Sequence, residues 1–396
     1  MQSPVVIYLS PFDLLRPRTN QVADVRFSEG FAQAGCEVHL IAPYVERSDN
    51  IPKEKLNDIY GMQSDITIHY LPFTFKKDIK GIIAALLISI LDLTQIINIR
   101  KKHPSTQELI VISRHTALLL PLALIKRVVP FCLKNVSIIH WSHDLKYKVS
   151  DRLVYKACKA LFFTNSSIRT DLLKKVRYPF SQTAITLNPI TEKQASFSMT
   201  REEARKRIGR SGQTKPLVVY TGKLGLKYQQ EIIHILDAAA ICNETDFILT
   251  GGSPEVVKYW QATSEKKGLK NIAFTGYLPN YSEIQYYQYA ADILISYYTR
   301  QGHDPRYNLP NKLCEYMLTG NIIITPEYPA TADLLNHKNC LFCEPESSEA
   351  LARSIQFAIS HPLECKEKAI NASKEVREIT FLKQAKRLLS FIQDLK

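Results

Sequence analysis

Lys312 and Glu315 stand three residues apart in the stretch YNLPNKLCEYMLTGNIIIT, residues 307–325. The spacing places a cation and a carboxylate on the first turn of a short predicted helix. Pro310 fits the first helical position, where its missing N–H costs nothing. Gly320 fits the left-handed position just past the end. Leu313, Cys314, Met317 and Leu318 share an apolar face. Backbone N–H groups point outward from such a first turn, so the pair suits a ligand carrying both anionic oxygens and hydroxyls. The plainer alternative is a surface ion pair. A second group is Gly222-Lys223-Leu224 with Lys227, after a predicted strand. There a glycine lets backbone N–H groups approach a phosphate, and two lysines can neutralise a diphosphate. Gly251-Gly252 and Gly276-Tyr277 are further glycine turns at strand ends. The third group lies earlier: His140, Ser142, His143 and Asp144 end one apolar run and Arg114-His115 another. Histidines at the tips of parallel strands sit at the ligand edge of a sheet; within a run they are usually satisfied core residues.

Several chemistries find no support. Nothing reads as GxGxxG, GxxxxGK[ST], GxSxG or HExxH, and there is no Asp-x-Asp, so neither a carboxylate clamp for a metal nor a bound cofactor is expected. Cys340-Leu-Phe-Cys343 lies in an apolar run with no second pair nearby, which argues against zinc or redox work. The eight cysteines are not a disulfide framework, and MQSPVVIYLS is no secretory signal, so the cytoplasm is the expected compartment.

These residues need elements to hold them. A chain of 396 residues exceeds what one core usually serves, which implies two domains. Short apolar runs at 5–10, 66–72, 108–115, 136–144, 160–167 and 184–190 alternate with helical patterns, and 25–43 reads as helix, glycine, strand. The long loop 11–24 carries Arg18 and Asn20 at a strand's carboxyl end. The alternation restarts at LVVYTG (217–222) and continues through DFILTGG, NIAFTGYL, ADILISYY, NIIITP and CLFCEP. This is the pattern of parallel sheets flanked by helices. The polar stretch 191–216 reads as a linker. The predicted division is 1–195, 196–380 and a C-terminal helix, 381–396, returning to the first domain. Residues 1–190 hold 25 Lys and Arg against 15 Asp and Glu; the remainder holds 26 against 23. A basic first half suggests an anionic partner such as a phosphorylated lipid or membrane surface; no nucleic-acid module is recognisable. The apolar stretch 81–99, followed by Arg100, Lys101 and Lys102, reads as a buried or interfacial helix rather than a span.

Taken together, these pieces resemble the retaining glycosyltransferases of the GT-B fold, and among them family 4. LPNKLCEYMLTGNIIIT is similar to that family's P-x-K-x-x-E-Y signature, YTGKL to its glycine–base turn, FTGYLPNYSEIQYYQYAADILISYY to its F-x-G segment, CLFCEP to a strand near its end, IHWSHDL to the stretch carrying its active-site histidine, and LNPI to its i-p-N-G-i. The resemblance implies two Rossmann-like, doubly wound α/β domains facing across a cleft. It implies transfer of a sugar from a UDP- or GDP-linked donor, without metal, to a lipid-linked or polysaccharide acceptor. Glu315 would accept hydrogen bonds from both ribose hydroxyls, Lys223 would hold the diphosphate, and His143 would contact the transferred sugar. Gly222, Lys227, Gly251, Gly276 and the backbone around Tyr277 would line the donor pocket. Tyr307, Asn308, Lys312 and Leu313 would complete it. On the acceptor side stand Arg18, Asn20, His115 and Asp144. The sequence departs from the family where Tyr307 replaces the first glutamate of Glu-x7-Glu, with Asn308, His303 or Asp304 as substitutes. It also lacks the usual Gly-Gly loop near Arg18 and Asn20. The alternatives are a catalytically degenerate donor-binding partner of another transferase, or a GT-B sugar-nucleotide epimerase.

Overall fold

The apolar runs form strands of two all-parallel sheets. In the computed structural model, which describes residues 3–15, 19–44, 56–74, 82–226, 229–300 and 304–395, the chain divides into two compact units. One is Met1–Thr191 with Thr380–Lys396; the other is Glu192–Ile379. The first sheet contains β1 (Val5–Leu9), β2 (Glu37–Tyr44), β3 (Thr67–Thr74), β4 (Leu109–Ser113), β5 (Val136–Ser142), β6 (Ala160–Phe163) and β7 (Thr183–Ile185), in spatial order 3-2-1-4-5-6-7. The second contains β8 (Leu217–Thr221), β9 (Asp246–Thr250), β10 (Ile272–Gly276), β11 (Ile293–Ile295), β12 (Ile322–Pro326) and β13 (Leu341–Cys343), in the order 10-9-8-11-12-13. Every residue of β1, β4, β5, β8 and β12 is buried. Helices cover both faces of such sheets, which is why the strands read as unbroken apolar runs. The strand order reverses between β1 and β4 and again between β8 and β11, and doubly wound sheets bind ligands at the carboxyl edge beside such reversals.

Three segments differ from the sequence expectation. The helix after β1 begins at Thr19, not near residue 25, and runs to Gln33. Asn20 is therefore in its first turn rather than in a loop. The polar run TNQVAD hides this start because its apolar period is weak, and its buried Asp24 is held by hydrogen bonds instead. The stretch read as a linker contains two helices, Glu192–Ser196 and Arg201–Arg207. The second is anchored by charge: Arg205 Nη2 donates to Asp292 Oδ2 at 2.6 Å and Arg201 pairs with the other oxygen at 2.8 Å. The short helix of the opening motif spans Lys312–Leu318, so Pro310 precedes it by two residues; Gly320 does adopt the left-handed φ of 69°.

The apolar stretch near residue 90 is a helix, Ile82–Lys102. Among the described residues no helix is long and apolar enough to cross a membrane. The last helix, Phe381–Asp394, buries Phe381, Ala385, Leu388, Leu389 and Ile392 in the first unit. It lies so close to helix Thr19–Gln33 that a Cβ on Gly30 would come 2.7 Å from the Phe381 carbonyl.

Candidate functional site

In the second unit the carboxyl edge of β8 is built from glycines and one hydrogen-bonded chain of side chains. Gly251 has φ 112° and Gly276 φ 77°, conformations side chains rarely take. Gly251 N donates to Gly276 O at 2.8 Å, and Gly222 N to Thr250 O at 3.2 Å. These contacts gather the turns after β8, β9 and β10 at one edge. A Cβ on Gly251 would sit 2.0 Å from Gly222 O, so the turns pack backbone against backbone.

Helix Lys312–Leu318 presents Glu315 to the same edge. Its Oε2 accepts from Gln288 Nε2 at 3.1 Å, and Tyr281 bonds the carboxylate too. Gln288 is 1% exposed and also reaches Thr221 Oγ1 at 3.4 Å. Tyr316 OH accepts from Thr221 N at 2.8 Å, tying the helix to the last residue of β8. Burial raises the Glu315 carboxyl above its ordinary value, against the hydrogen bonds from Gln288 and Tyr281 and the nearby Lys312 charge. The held carboxylate offers two acceptor oxygens at a spacing that matches vicinal hydroxyls.

Lys312 is not half of a surface pair. Its ammonium lies over the Tyr220 ring, 3.8 Å from the centroid. Burial lowers its pKa, while Glu231 first and Glu315 second push it back up. Glu231 is 4% exposed, its carboxyl is raised by burial, and its Oε1 lies 3.5 Å from Thr299 N. Sequence reasoning missed Glu231, because an acid in a helix's first turn ordinarily faces solvent for the helix dipole. It missed Gln288, Thr221 and Tyr316 too, since their role arises only from strands and helices far apart in the chain.

Other expected donor residues fall around these. Lys223 is exposed, directly after Gly222, and Tyr277 is 76% exposed after Gly276. Leu313 is fully buried and packs rather than contacts. Tyr307 and Asn308 follow a turn in which both backbone N–H groups donate to Asp304 O, at 3.1 and 3.0 Å. Asp304 spends its carboxylate on Arg306, at 3.0 and 2.7 Å, and the Arg306 guanidinium lies 5.0 Å from the Tyr307 ring centroid. Lys227 and His303 lie outside the described residues, as does Arg18 in the first unit. Cys340 and Cys343 are buried thiols, pushed up to about 12 by burial.

In the first unit, the tips of β1, β4 and β5 converge. The His115 ring lies 5.2 Å from Phe12 and 6.0 Å from His143. His143 Nε2 is 3.5 Å from Asp144 Oδ2, which Lys146 also approaches at 3.5 Å. Burial is the main cause holding all three histidines unprotonated: His115 and His140 are lowered to about 3, and His143 is lowered as well. His140 belongs to the core, with Nδ1 3.1 Å from Ser113 O. Beside them is a group that sequence reasoning missed. Asp24, 1% exposed, accepts from Tyr8 OH at 3.1 Å and Ser10 Oγ at 2.7 Å, with Arg114 at 3.8 Å. Asn20 lies one turn before Asp24 on that helix.

A cavity of about 760 Å³ lies next to this cluster, bordered by Ser89, Thr116, Leu120, Leu145, Lys146 and Asp151. Its floor is fixed by Thr116 Oγ1 donating to Asp151 Oδ1 at 2.6 Å.

The comparisons with known proteins bear on the fold. The family model described as glycosyl transferases group 1 matches residues 215–361, most of the second unit. No curated protein matches the sequence. Among solved structures, Anabaena Alr3699/HepE in complex with UDP is 12% identical, with TM-score 0.70 over 98% of this chain and 100% of that one. The same protein has been solved with UDP and glucose and with UDP-glucose. A glycosyltransferase from Rickettsia africae is 15% identical, with TM-score 0.71 over 100% and 99%. WaaG, a glycosyltransferase involved in lipopolysaccharide biosynthesis, is 14% identical, with TM-score 0.60 over 98% and 99%. At these identities the likeness establishes the fold, two Rossmann-like parallel-sheet domains of GT-B type.

Proposed function

We propose that this chain is a glycosyltransferase that takes a sugar from a nucleotide-diphosphate donor bound by the second unit. The single observation that carries the reading is Glu315, a carboxylate held by Gln288 and Tyr281 beside the glycine turns after β8, β9 and β10. In this reading it accepts hydrogen bonds from the two ribose hydroxyls. Lys223 holds the diphosphate and stabilises the charge that grows on it as it leaves, the term expected to dominate such a transfer. Lys227, in the same turn, has the chemistry to help. Transfer is read as metal-independent and retaining, with a hexose as the sugar, as in the family 4 enzymes the sequence resembles. The UDP and UDP-glucose bound in the Anabaena neighbour favour a uridine donor.

The acceptor reading rests on the first unit. The cavity beside His115 joins apolar side chains to lysines, which suits a lipid-linked acceptor with an anionic group. Residues 100–177 hold 16 Lys and Arg against 4 Asp and Glu, nearly the whole net charge of +13. Leu87, Ile90, Leu124, Val128, Tyr147 and Val149 are exposed on the helices and loop around the cavity. Surface polysaccharide or lipopolysaccharide synthesis at an anionic membrane face is the corresponding role, and His143 is assigned to the transferred sugar.

The test is transfer from a panel of nucleotide sugars to lipid-phosphate acceptors, with Glu315→Ala and Lys223→Ala as controls. A second reading, a donor-binding partner without activity, is favoured by the 304–308 segment, where Tyr307 replaces an acid and Asp304 is committed to Arg306. Wild-type protein that binds donor and neither transfers nor hydrolyses it would establish that reading instead.

A further inference from the structure

At the amino-terminal edge of the first sheet, opposite the tips that carry His115 and His143, four ligating side chains meet. Glu37 and His39 open β2, His69 lies in β3, and His103 follows helix Ile82–Lys102. Glu37 Oε1 lies 3.0 Å from His39 Nε2 and 3.4 Å from His103 Nε2. The three donor atoms all lie within 4.8 Å of one another. A tetrahedral ion with bonds of roughly 2.0–2.1 Å spaces its ligands about 3.3 Å apart. Two edges of that tetrahedron are therefore already formed, and a small rotation of an imidazole closes the third. His39 has its second nitrogen engaged: Nδ1 is 2.9 Å from His69 Nε2. That contact can serve as the outer hydrogen bond that fixes a metal-bound imidazole's tautomer and ring orientation, here supplied by a second imidazole in place of the commoner carboxylate or carbonyl.

We propose that Glu37, His39 and His103 form a binding site for one divalent transition-metal ion, zinc by ligand type, with His69 as the outer partner of His39. Two imidazoles and one carboxylate exclude a calcium or magnesium preference, since those ions take oxygen ligands. The apparent hydrogen bond from His39 to Glu37 is replaced by the metal: His39 moves its proton from Nε2 to Nδ1 and donates it to His69, whose own proton shifts to its far nitrogen. No net proton is lost in that exchange. The charge of Lys102 acts against a cation, and Glu37 offsets it. The ion would fasten the end of helix Ile82–Lys102 to two strands, a structural role separate from sugar transfer and independent of the reading of Glu315.

The test uses the untagged full chain, stripped with EDTA and titrated with Zn²⁺ against a chromophoric chelator, with Co²⁺ as a spectroscopic probe. The expected result is one equivalent bound, a raised Tm, and a visible Co²⁺ spectrum of four-coordinate intensity. His103→Asn and Glu37→Gln should each weaken binding roughly 10- to 100-fold and remove the Tm gain. Both sit at the rim of the cluster, so their folding serves as the control should His39→Asn fail to fold. Absence of stoichiometric binding, or binding that is unchanged in both rim variants, overturns the site.

Discussion

Glu315 gains its chemical character from side chains that the motif around it does not contain. A carboxylate on a first turn is common; one held by Gln288, from a helix 27 positions earlier, and by Tyr281 is a fixed acceptor. If it binds two ribose hydroxyls, Glu315→Ala should weaken donor binding roughly 10²- to 10⁴-fold, the cost of two charge-assisted hydrogen bonds at about 1.5–3 kcal/mol each. Glu315→Gln should fall between. Calorimetric titration with UDP and GDP checks both, and equal affinity in wild type and the alanine variant would remove the assignment. Tyr316 separates structure from binding. Tyr316→Phe leaves the buried Thr221 N–H without its 2.8 Å acceptor and should cost about 1–3 kcal/mol in denaturant unfolding. The motif made Glu315 legible because its neighbours Leu313, Met317 and Leu318 repeat with the helical period. Glu231, Asp24 and Gln288 were illegible because a buried polar residue shows no periodicity, and the hydrogen-bond partners of its side chain lie 14 to 68 positions away.

At the scale of elements, the strands were readable and the helix boundaries were not. A strand covered on both faces must be apolar throughout, so β1, β4 and β8 announce themselves. The start of helix Thr19–Gln33, at Asp24, and the charged helix Arg201–Arg207 are held by hydrogen bonds and ion pairs, which leave no apolar stripe there. The glycine turns allow a graded prediction. Gly251→Ala meets both a positive φ and the Gly222 carbonyl at 2.0 Å, and should destabilise the second unit by about 3 kcal/mol or more. Gly320→Ala meets only its φ of 69° and open space, and should cost about 1–2 kcal/mol. Equal losses in urea unfolding would contradict the packing described for the β8 edge. The histidines of the first unit set a pH response. His115 and His140 have folded values near 3 against about 6.5 unfolded, so the unfolded chain takes up protons first as pH falls. Stability should therefore drop from pH 6.5 downward. Asp24, raised to about 6 by burial, and Asp92, also raised by burial, work in the opposite sense, while His143, His39 and His69 add to the imidazole side. The Tm of wild type against His140→Gln across pH 4–7 measures this: the variant should show the shallower slope.

For the whole molecule, the charge and the exposed apolar residues coincide in one part of the sequence. The excess of Lys and Arg lies between residues 100 and 177, and Leu124, Val128, Tyr147 and Val149 are exposed within the same span. Acyl chains take up such side chains while phosphates attract the lysines beside them. Flotation with vesicles containing anionic lipid should carry the protein, and raised salt or Val149→Asp with Val128→Asp should release it. Recovery with neutral vesicles alone would show that charge plays no part. Composition hinted at this surface only as a net charge; which basic residues share a face with apolar ones follows from tertiary packing.

One feature of the chain path sets the order in which the protein can mature. The chain leaves the first unit after Thr191 and re-enters it at Thr380, where Thr380 bridges Ile190 and Phe381 N donates to Ile190 O at 3.0 Å. The second unit is thus an insertion, nested in a host whose helix Phe381–Asp394 leaves the ribosome after it. Its sheet is complete in sequence while the host still lacks Phe381, Leu388 and Ile392, which fill the gap beside Phe27 and Phe31. Released chains truncated before residue 380 should accordingly carry a protease-resistant second unit behind a still-digestible first one.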